Sequence, residues 1–370
     1  MEGIIVARTI NSTPRKDGFR MPGEFEEHEG TWMLWPMRTD TWRSGAKPAQ
    51  RAFAEVAKAI SQFEPVTVCV NAEQFENARA LLDDRVRVVE ISSNDAWMRD
   101  IGPTFVKNDK GEVRGIDWQF NAWGGLDEGL YFPWDKDQLV KQKVMEIENI
   151  DRYDAKDFVL EGGAIHVDGE GTLITTAECV LNPNRNPNMS KEDVEEKLKE
   201  YLNIEKIIWI EKGLFEDETD GHVDEVLFYV RPGEVAIGWT DDPEHPHYEV
   251  LQAAYKQLEQ ETDAKGRKLK IYKLPMPEQI AITDEEAREI DFSADAFDRS
   301  ADTLFIATYA NCYICNGGVV IPSFGDPKDE EAVEIFKEMF PDRKIVTVNT
   351  REVSLGGGNI HCITQQQPKA

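Results

Sequence analysis

One arrangement recurs along this chain and limits what it can fold into. An amphipathic helical segment leads to a short β-rich run, which leads to a polar cluster ahead of a hairpin-like stretch. Periodicity places the first helix over about 49–62, where Phe53, Val56, Ala57, Ile60 and Phe63 follow the helical repeat behind Pro48. The run 66–70 reads as a buried strand, and a second helix over about 72–82 leads to a strand at 86–91. Further helices are expected over about 137–148, from Ser190, over 248–260 and over 327–339, with strands at 158–160, 206–210, 269–274 and 345–348. Asp193, three residues after Ser190, makes a weaker form of the capping box.

The polar clusters fall near Asp100, Glu161, His222, Asn311–Asn316 and Cys362. Five such units in 370 residues suggest a pseudo-repeat whose polar tips converge if the units pack around an axis. An α/β sheet with scattered loops remains the plainer reading of the same pattern.

The clusters hold reactive side chains. Cys362 follows Gly356-Gly357-Gly358-Asn359-Ile360-His361, where glycines let the backbone approach a ligand closely. A thiol there is either a nucleophile or a buried structural cysteine. In Asp220-Gly221-His222-Val223-Asp224-Glu225, an extended backbone puts His222 and Asp224 on one face, with Asp220 if the strand reaches it. An imidazole among carboxylates suits acid/base work or metal binding. Glu161, ahead of Gly162-Gly163, can orient an imidazole or simply end a strand. In Asp95-Ala96-Trp97-Met98-Arg99-Asp100, Asp100 can take a planar cation in a fork and Trp97 can stack on a cation. Arg99, next to Asp100, is expected to point away from it.

Composition narrows the partners. Lys plus Arg number 42 and Asp plus Glu 70, a net charge of −28. Such a surface repels nucleic acid and anionic lipid and favours a cationic substrate. There is no apolar run long enough to span a membrane. The start of the chain has a short apolar patch without the layout of a secretion signal, so a cytoplasmic protein is expected. Five cysteines at uneven spacing suit free thiols better than a disulfide framework. Cys312 and Cys315 have C-x-x-C spacing, but no further thiolates or histidines follow nearby to complete a zinc site. There is no phosphate-cradling glycine loop and no G-x-S-x-G.

The segments EHEGTWMLWP (27–36), DAWMRDIGPTF (95–105), EGGAIHVDGEGTLITT (161–176), LNPNRNP (181–187), TDGHVDE (219–225), ANCYICNGGVVIP (310–322) and GGGNIHCITQQQP (356–368) together resemble the agmatine deiminases. These form a guanidine-modifying branch of the pentein superfamily, close to the bacterial peptidylarginine deiminase type. The resemblance runs from about residue 20 to the C-terminus. It implies an α/β pentein fold, a five-bladed pseudo-symmetric propeller of ββαβ units around a central channel, and one catalytic domain over 1–370. It implies Cys362 as nucleophile, His222 with Glu161 as the acid/base pair, and Asp100 and Asp224 as the carboxylates that grip a guanidinium. Trp97, Glu218 and Asp220 are candidates for the far amine by their nearness in sequence. The implied reaction turns agmatine into N-carbamoylputrescine and ammonia, with no metal and no cofactor.

Other readings stay open at this point. They are a deiminase for arginine or peptidyl-arginine, a metal-dependent hydrolase with Asp220, His222 and Asp224 as ligands, and a guanidine-binding protein without catalysis. A homo-oligomer, dimer or tetramer, is expected because symmetric assemblies are common.

Overall fold

The structure is a computed structural model that describes residues 7–370, so the apolar patch at 4–6 lies outside the described residues. It resolves the repeat into five copies of one unit: an antiparallel hairpin, a helix, and a strand parallel to the hairpin's second strand. The first complete unit pairs Thr104–Lys107 with Val113–Gln119, crosses through helix Asp137–Ile147, and returns as Arg152–Val159. The second runs Ile165–Val167, Thr172–Thr176, helix Lys191–Leu202 and Lys206–Ile210. The third runs Leu227–Arg231, Glu234–Trp239, helix Tyr248–Gln260 and Lys270–Pro275. The fourth runs Tyr313–Cys315, Gly318–Ser323, helix Lys328–Met339 and Lys344–Asn349.

The fifth unit joins the two ends of the chain. Its hairpin is made of Thr364–Pro368 and His28–Leu34, antiparallel although far apart in sequence. Helix Lys47–Ile60 and strand Val66–Val70 complete it, with Arg87–Glu90 added at the edge. Trp32 Nε1 donates to Gln367 Oε1 at 2.8 Å across this seam. Strand Thr364–Pro368 touches Thr104–Lys107 and strand Ile165–Val167 touches Leu227–Arg231, and the short turns 98–101, 162–164 and 223–226 ahead of three of the hairpins pack together.

Local sequence explains each helix. Lys47–Ile60 has Pro48 in its first turn and buries Phe53, Val56, Ala57 and Ile60. Burial of each larger apolar side chain contributes roughly 1.5–3 kcal/mol. At the start of Lys191–Leu202, Ser190 and Asp193 form the full capping box, Asp193 N donating to Ser190 Oγ at 3.2 Å. Three expectations need correction. Strand Arg152–Val159 begins well before 158, because its polar residues alternate with buried Tyr153, Ala155 and Phe158. The 72–82 helix is split into a 3-10 turn, Ala72–Gln74, and helix Phe75–Leu81. The segment carrying His222 and Asp224 is not a strand: Asp220 and Gly221 have φ of 67° and 86°, and Val223–Val226 is a helical turn.

Candidate active site

Each polar cluster stands just ahead of the first strand of its unit. Asp100 is on the short helix Met98–Ile101 before Thr104, and Glu161 precedes Ile165. His222 and Asp224 precede Leu227, Asn311 precedes Tyr313, and Cys362 precedes Thr364. One position in each repeat therefore delivers the site.

Asp100 is fixed from three directions. Trp123 Nε1 donates to its Oδ2 at 2.9 Å and Gly163 N to its Oδ1 at 2.8 Å. Behind it, the buried Lys141 donates to the carbonyls of Asp100 and Ile101 at 3.0 Å each, and burial lowers this amine to about 8. Gly163 is required by packing. A Cβ there would lie 2.5 Å from His222 Nδ1, 3.0 Å from Asp224 Oδ2 and 3.1 Å from Asp100 Oδ1. This close approach of the backbone draws three side chains onto one point.

His222 is 2% exposed, with Nδ1 3.8 Å from Asp100 Oδ2 and Nε2 3.9 Å from Glu161 Oε2. Burial opposes its charged form, but Asp100, Cys179 and Asp217 outweigh burial and raise it well above an ordinary imidazole. Asp217 Oδ2 also accepts His222 N at 2.6 Å, and burial pushes Asp217 up to about 6. Glu161 stands too far from His222 for a hydrogen bond, and its Oε1 accepts from Arg185 Nε at 2.7 Å.

Cys362 Sγ is surrounded by acceptors and one amide. Glu225 Oε1 lies 3.4 Å away and Asp224 Oδ2 3.8 Å, while Asn311 Nδ2 donates to the sulfur at 3.2 Å. Burial, with Asp224, Glu225 and Asp100 nearby, pushes the thiol well above its usual range. The two neighbouring carboxyls differ. Asp224 Oδ2 is held by His361 Nδ1 at 2.7 Å, and this outweighs burial to keep Asp224 below the usual range. For Glu225, burial with Asp224 and Asp217 outweighs the Cys362 thiol and the His222 cation and raises it well above that range. Three buried atoms here have no hydrogen-bond partner among the described residues: His222 Nε2, Asp224 Oδ1 and Glu225 Oε2.

The pocket over Cys362 is lined by five carboxyl groups, from Asp95, Asp100, Asp217, Glu218 and Glu225, against two basic side chains, His222 and Arg299. Arg299 is already engaged, its Nη2 donating to Glu218 Oε2 at 2.7 Å and to Gly356 O at 2.8 Å. Trp97 lines one wall, packed on Trp42 at 5.1 Å between ring centres, with its Nε1 on Asp95 at 3.0 Å. Asp224 and Glu161 sit just beneath the pocket wall, 0% and 1% exposed.

Of the eight residues singled out in the sequence, Cys362, His222, Glu161, Asp100, Asp224, Trp97 and Glu218 converge here. Asp220 does not. It is not among the lining residues, and its Oδ2 is bound by Arg185 Nη1 at 2.8 Å and Asn184 Nδ2 at 3.0 Å. The left-handed turn at 220–221 swings it away from the face that a strand would have given it. The metal-ligand reading of Asp220, His222 and Asp224 fails on the same geometry: among the described residues these three do not bring ligand atoms together. Arg99 does point away, onto His361 O at 3.2 Å and Gln366 Oε1 at 2.7 Å, but from a helical turn rather than a strand.

Sequence reasoning gave no role to Arg185, Asn311, Glu225, His361 or Arg299. Arg185, inside LNPNRNP, is 4% exposed and joins Glu161, Asp220, Trp123 O and Thr219 O. An arginine flanked by turn-forming Asn and Pro was the available signal. Cys312 and Cys315 lie buried and free in the fourth unit, outside the gathered ligand groups.

Three comparisons bear on this site. The family model described as Porphyromonas-type peptidyl-arginine deiminase matches residues 20–368. The agmatine deiminase of Pseudomonas aeruginosa is 60% identical over 358 residues, 96% of this chain and 97% of that one. Among solved structures, the Enterococcus faecalis agmatine deiminase catalysing its reaction is 54% identical with a TM-score of 0.96, covering 98% of this chain and 99% of that one. A cysteine-to-serine variant of C. jejuni agmatine deiminase with substrate bound is 26% identical with a TM-score of 0.81, covering 95% and 97%.

Proposed function

The chain belongs to the Porphyromonas-type peptidyl-arginine deiminase family, and from that premise we propose that it is an agmatine deiminase. It hydrolyses the guanidinium of agmatine to N-carbamoylputrescine and ammonia. The observation that carries this reading is the group of three buried atoms around Cys362 without partners among the described residues, His222 Nε2, Asp224 Oδ1 and Glu225 Oε2, at a pocket lined by more carboxyl groups than basic ones.

A guanidinium is a resonance-stabilised, poor electrophile, so positioning matters. Asp100 and Asp224 take its N–H groups and set the central carbon against the sulfur. Cys362 attacks as thiolate. The tetrahedral adduct collapses as His222, held cationic, gives its proton to departing ammonia. That leaves the amidino group on the sulfur, still carrying the aminobutyl chain of agmatine. His222, now neutral, takes a proton from water, which attacks the same carbon, and collapse expels the thiolate. The free thiol is hard to ionise where it stands. A bound guanidinium beside it offsets the carboxylates, so substrate binding itself favours the thiolate. Arg185 acts through Glu161, fixing it beneath His222.

Agmatine differs from arginine in lacking a carboxylate. The far end of this pocket offers Trp97, Asp95 and Glu218, and its arginine is spent on Glu218. Trp97 and Glu218 suit an ammonium, whereas an α-carboxylate would meet like charge at a cost of several kcal/mol. All five units contribute to one centre, which supports a single catalytic domain over 1–370. Among the described residues no helix is long and apolar enough to cross a membrane. A cytoplasmic homo-oligomer, dimer or tetramer, completes the reading, and the exposed Phe215, Phe292 and Leu126 supply apolar surface that copies could cover.

The test is turnover of agmatine, free arginine and a peptidyl-arginine, with a chelator present and ammonia as the readout. We expect kcat/KM for agmatine to exceed that for arginine by on the order of a hundredfold or more. Equal or faster turnover of arginine or the peptide would transfer the activity to those substrates.

A further inference from the structure

We propose that Glu225 is the base that takes the thiol proton of Cys362 when the guanidinium arrives. The inference rests on the hydrolysis proposed above and assigns one of its steps.

The geometry leaves few other bases. Glu225 Oε1 is 3.4 Å from Sγ and is steadied by Asn311 Nδ2 at 2.9 Å. Asn311 also donates to the sulfur at 3.2 Å, so one amide sets both partners. Asp224, the next carboxylate at 3.8 Å, has its near oxygen committed to His361 at 2.7 Å. The nitrogens of His222 lie 3.8 Å from Asp100 and 3.9 Å from Glu161, and that imidazole must carry a proton to release ammonia. Glu225 lines the pocket, and its Oε2 is buried with no partner among the described residues, so the carboxyl is held at one oxygen only.

The groups facing Glu225 are Asp224, Asp217, Cys362 and His222, two anions, a thiol and a cation. Burial and the two aspartates raise Glu225 well above an ordinary carboxyl, towards the thiol it must deprotonate. In the step, the S–H bond breaks with its electron pair left on sulfur, and an O–H bond forms on Glu225. The charge of the pair is unchanged. When the thiolate is expelled at the end of the cycle, the proton returns from Glu225 to sulfur. Thiol and carboxyl thus titrate as a pair.

The experiment compares wild type, Glu225→Gln and Glu225→Asp in two readouts. The first is the pH dependence of Cys362 alkylation by iodoacetamide, which needs no substrate. The expected wild-type profile has two steps, one for each proton of the pair. In Glu225→Gln the lower step vanishes, and in Glu225→Asp both remain. The second readout is agmatine turnover. At neutral pH Glu225→Gln should lose about 10²–10⁴-fold in kcat. KM should change little, and part of the loss should return as pH rises. Circular dichroism checks the fold of each variant. A single alkylation step in wild type, two steps retained in Glu225→Gln, or a kcat loss equal at every pH would overturn the assignment. Absence of agmatine turnover in wild type would instead overturn the function, and the alkylation profile would still judge Glu225.

Discussion

The two sides of Cys362 handle charge in opposite ways. On the side away from the pocket, carboxylates and cations are matched. His361 bridges Asp224 and Glu24 at 2.7 Å each, His166 stacks on His361 at 5.1 Å, and Arg99 stands 3.8 Å from Glu24. On the pocket side, five carboxyls face His222 and an arginine already bound to Glu218. The matched side stabilises the fold and holds Asp224 ionised. The unmatched side is costly in the free protein and is relieved by an incoming cation. Negative charge at the site is therefore placed in excess only where the substrate enters.

The largest effect should come from the sulfur between the two sides. Cys362→Ala should lower agmatine turnover by roughly 10⁵–10⁶-fold, as loss of a nucleophile does, with the fold retained by circular dichroism. Next come the carboxylates that face a guanidinium. Asp100→Asn should cost about 2–5 kcal/mol in kcat/KM, because it breaks a buried charge pair with the substrate. A loss under threefold would show that Asp100 only shapes the wall.

His361→Gln probes the matched side. It leaves Asp224 and Glu24 without their cation and should destabilise the fold by roughly 3–5 kcal/mol near neutral pH. The sign with pH follows from both partners. Glu24 is lowered by His361 and Arg99 against burial, so its stabilisation is present above the ordinary glutamate range and is lost as pH falls. His361 is raised by Glu24 and Asp224 against burial and Arg99, so its stabilisation is present below the ordinary histidine value and is lost as pH rises through the raised one. The difference in melting temperature between wild type and variant should peak between these limits and shrink on both sides.

The smallest effect blurs the contrast itself. Glu218→Gln weakens the hold on Arg299 and removes one pocket charge. KM for agmatine should rise by about tenfold with kcat little changed, the loss of one hydrogen bond to a charged group. The preference for agmatine over arginine should narrow as Arg299 becomes free for a carboxylate. An unchanged ratio of kcat/KM for the two substrates would remove Glu218 from the selectivity.

The pocket side was the more legible in sequence. The periodic helices and short apolar strands place the five units, and polar residues ahead of each hairpin mark the site. Cys362, His222, Asp100 and Asp224 are reactive types in glycine-rich surroundings, so local chemistry exposes them. The matched side was hidden because pairing is a long-range fact. Glu24 and His361 are 337 positions apart, and Asp224 and His361 are 137 apart. Asp220 was misplaced for a local reason: alternation was applied across a left-handed turn, which breaks it. Glu225 was passed over because a carboxyl beside another in sequence looks redundant. Here one is held by a histidine and the other faces the sulfur.

Covalent attachment of the guanidine carbon to Cys362 is the most direct point to measure. Turnover of agmatine by wild type would be stopped with acid at early times, and the intact mass and its peptides read by mass spectrometry. An amidino group still bearing the aminobutyl chain of agmatine, confined to the peptide that carries Cys362 and appearing before ammonia reaches its steady rate, is the predicted result. Ammonia release with an unmodified Cys362 at every time point, or the group on another residue, would contradict it.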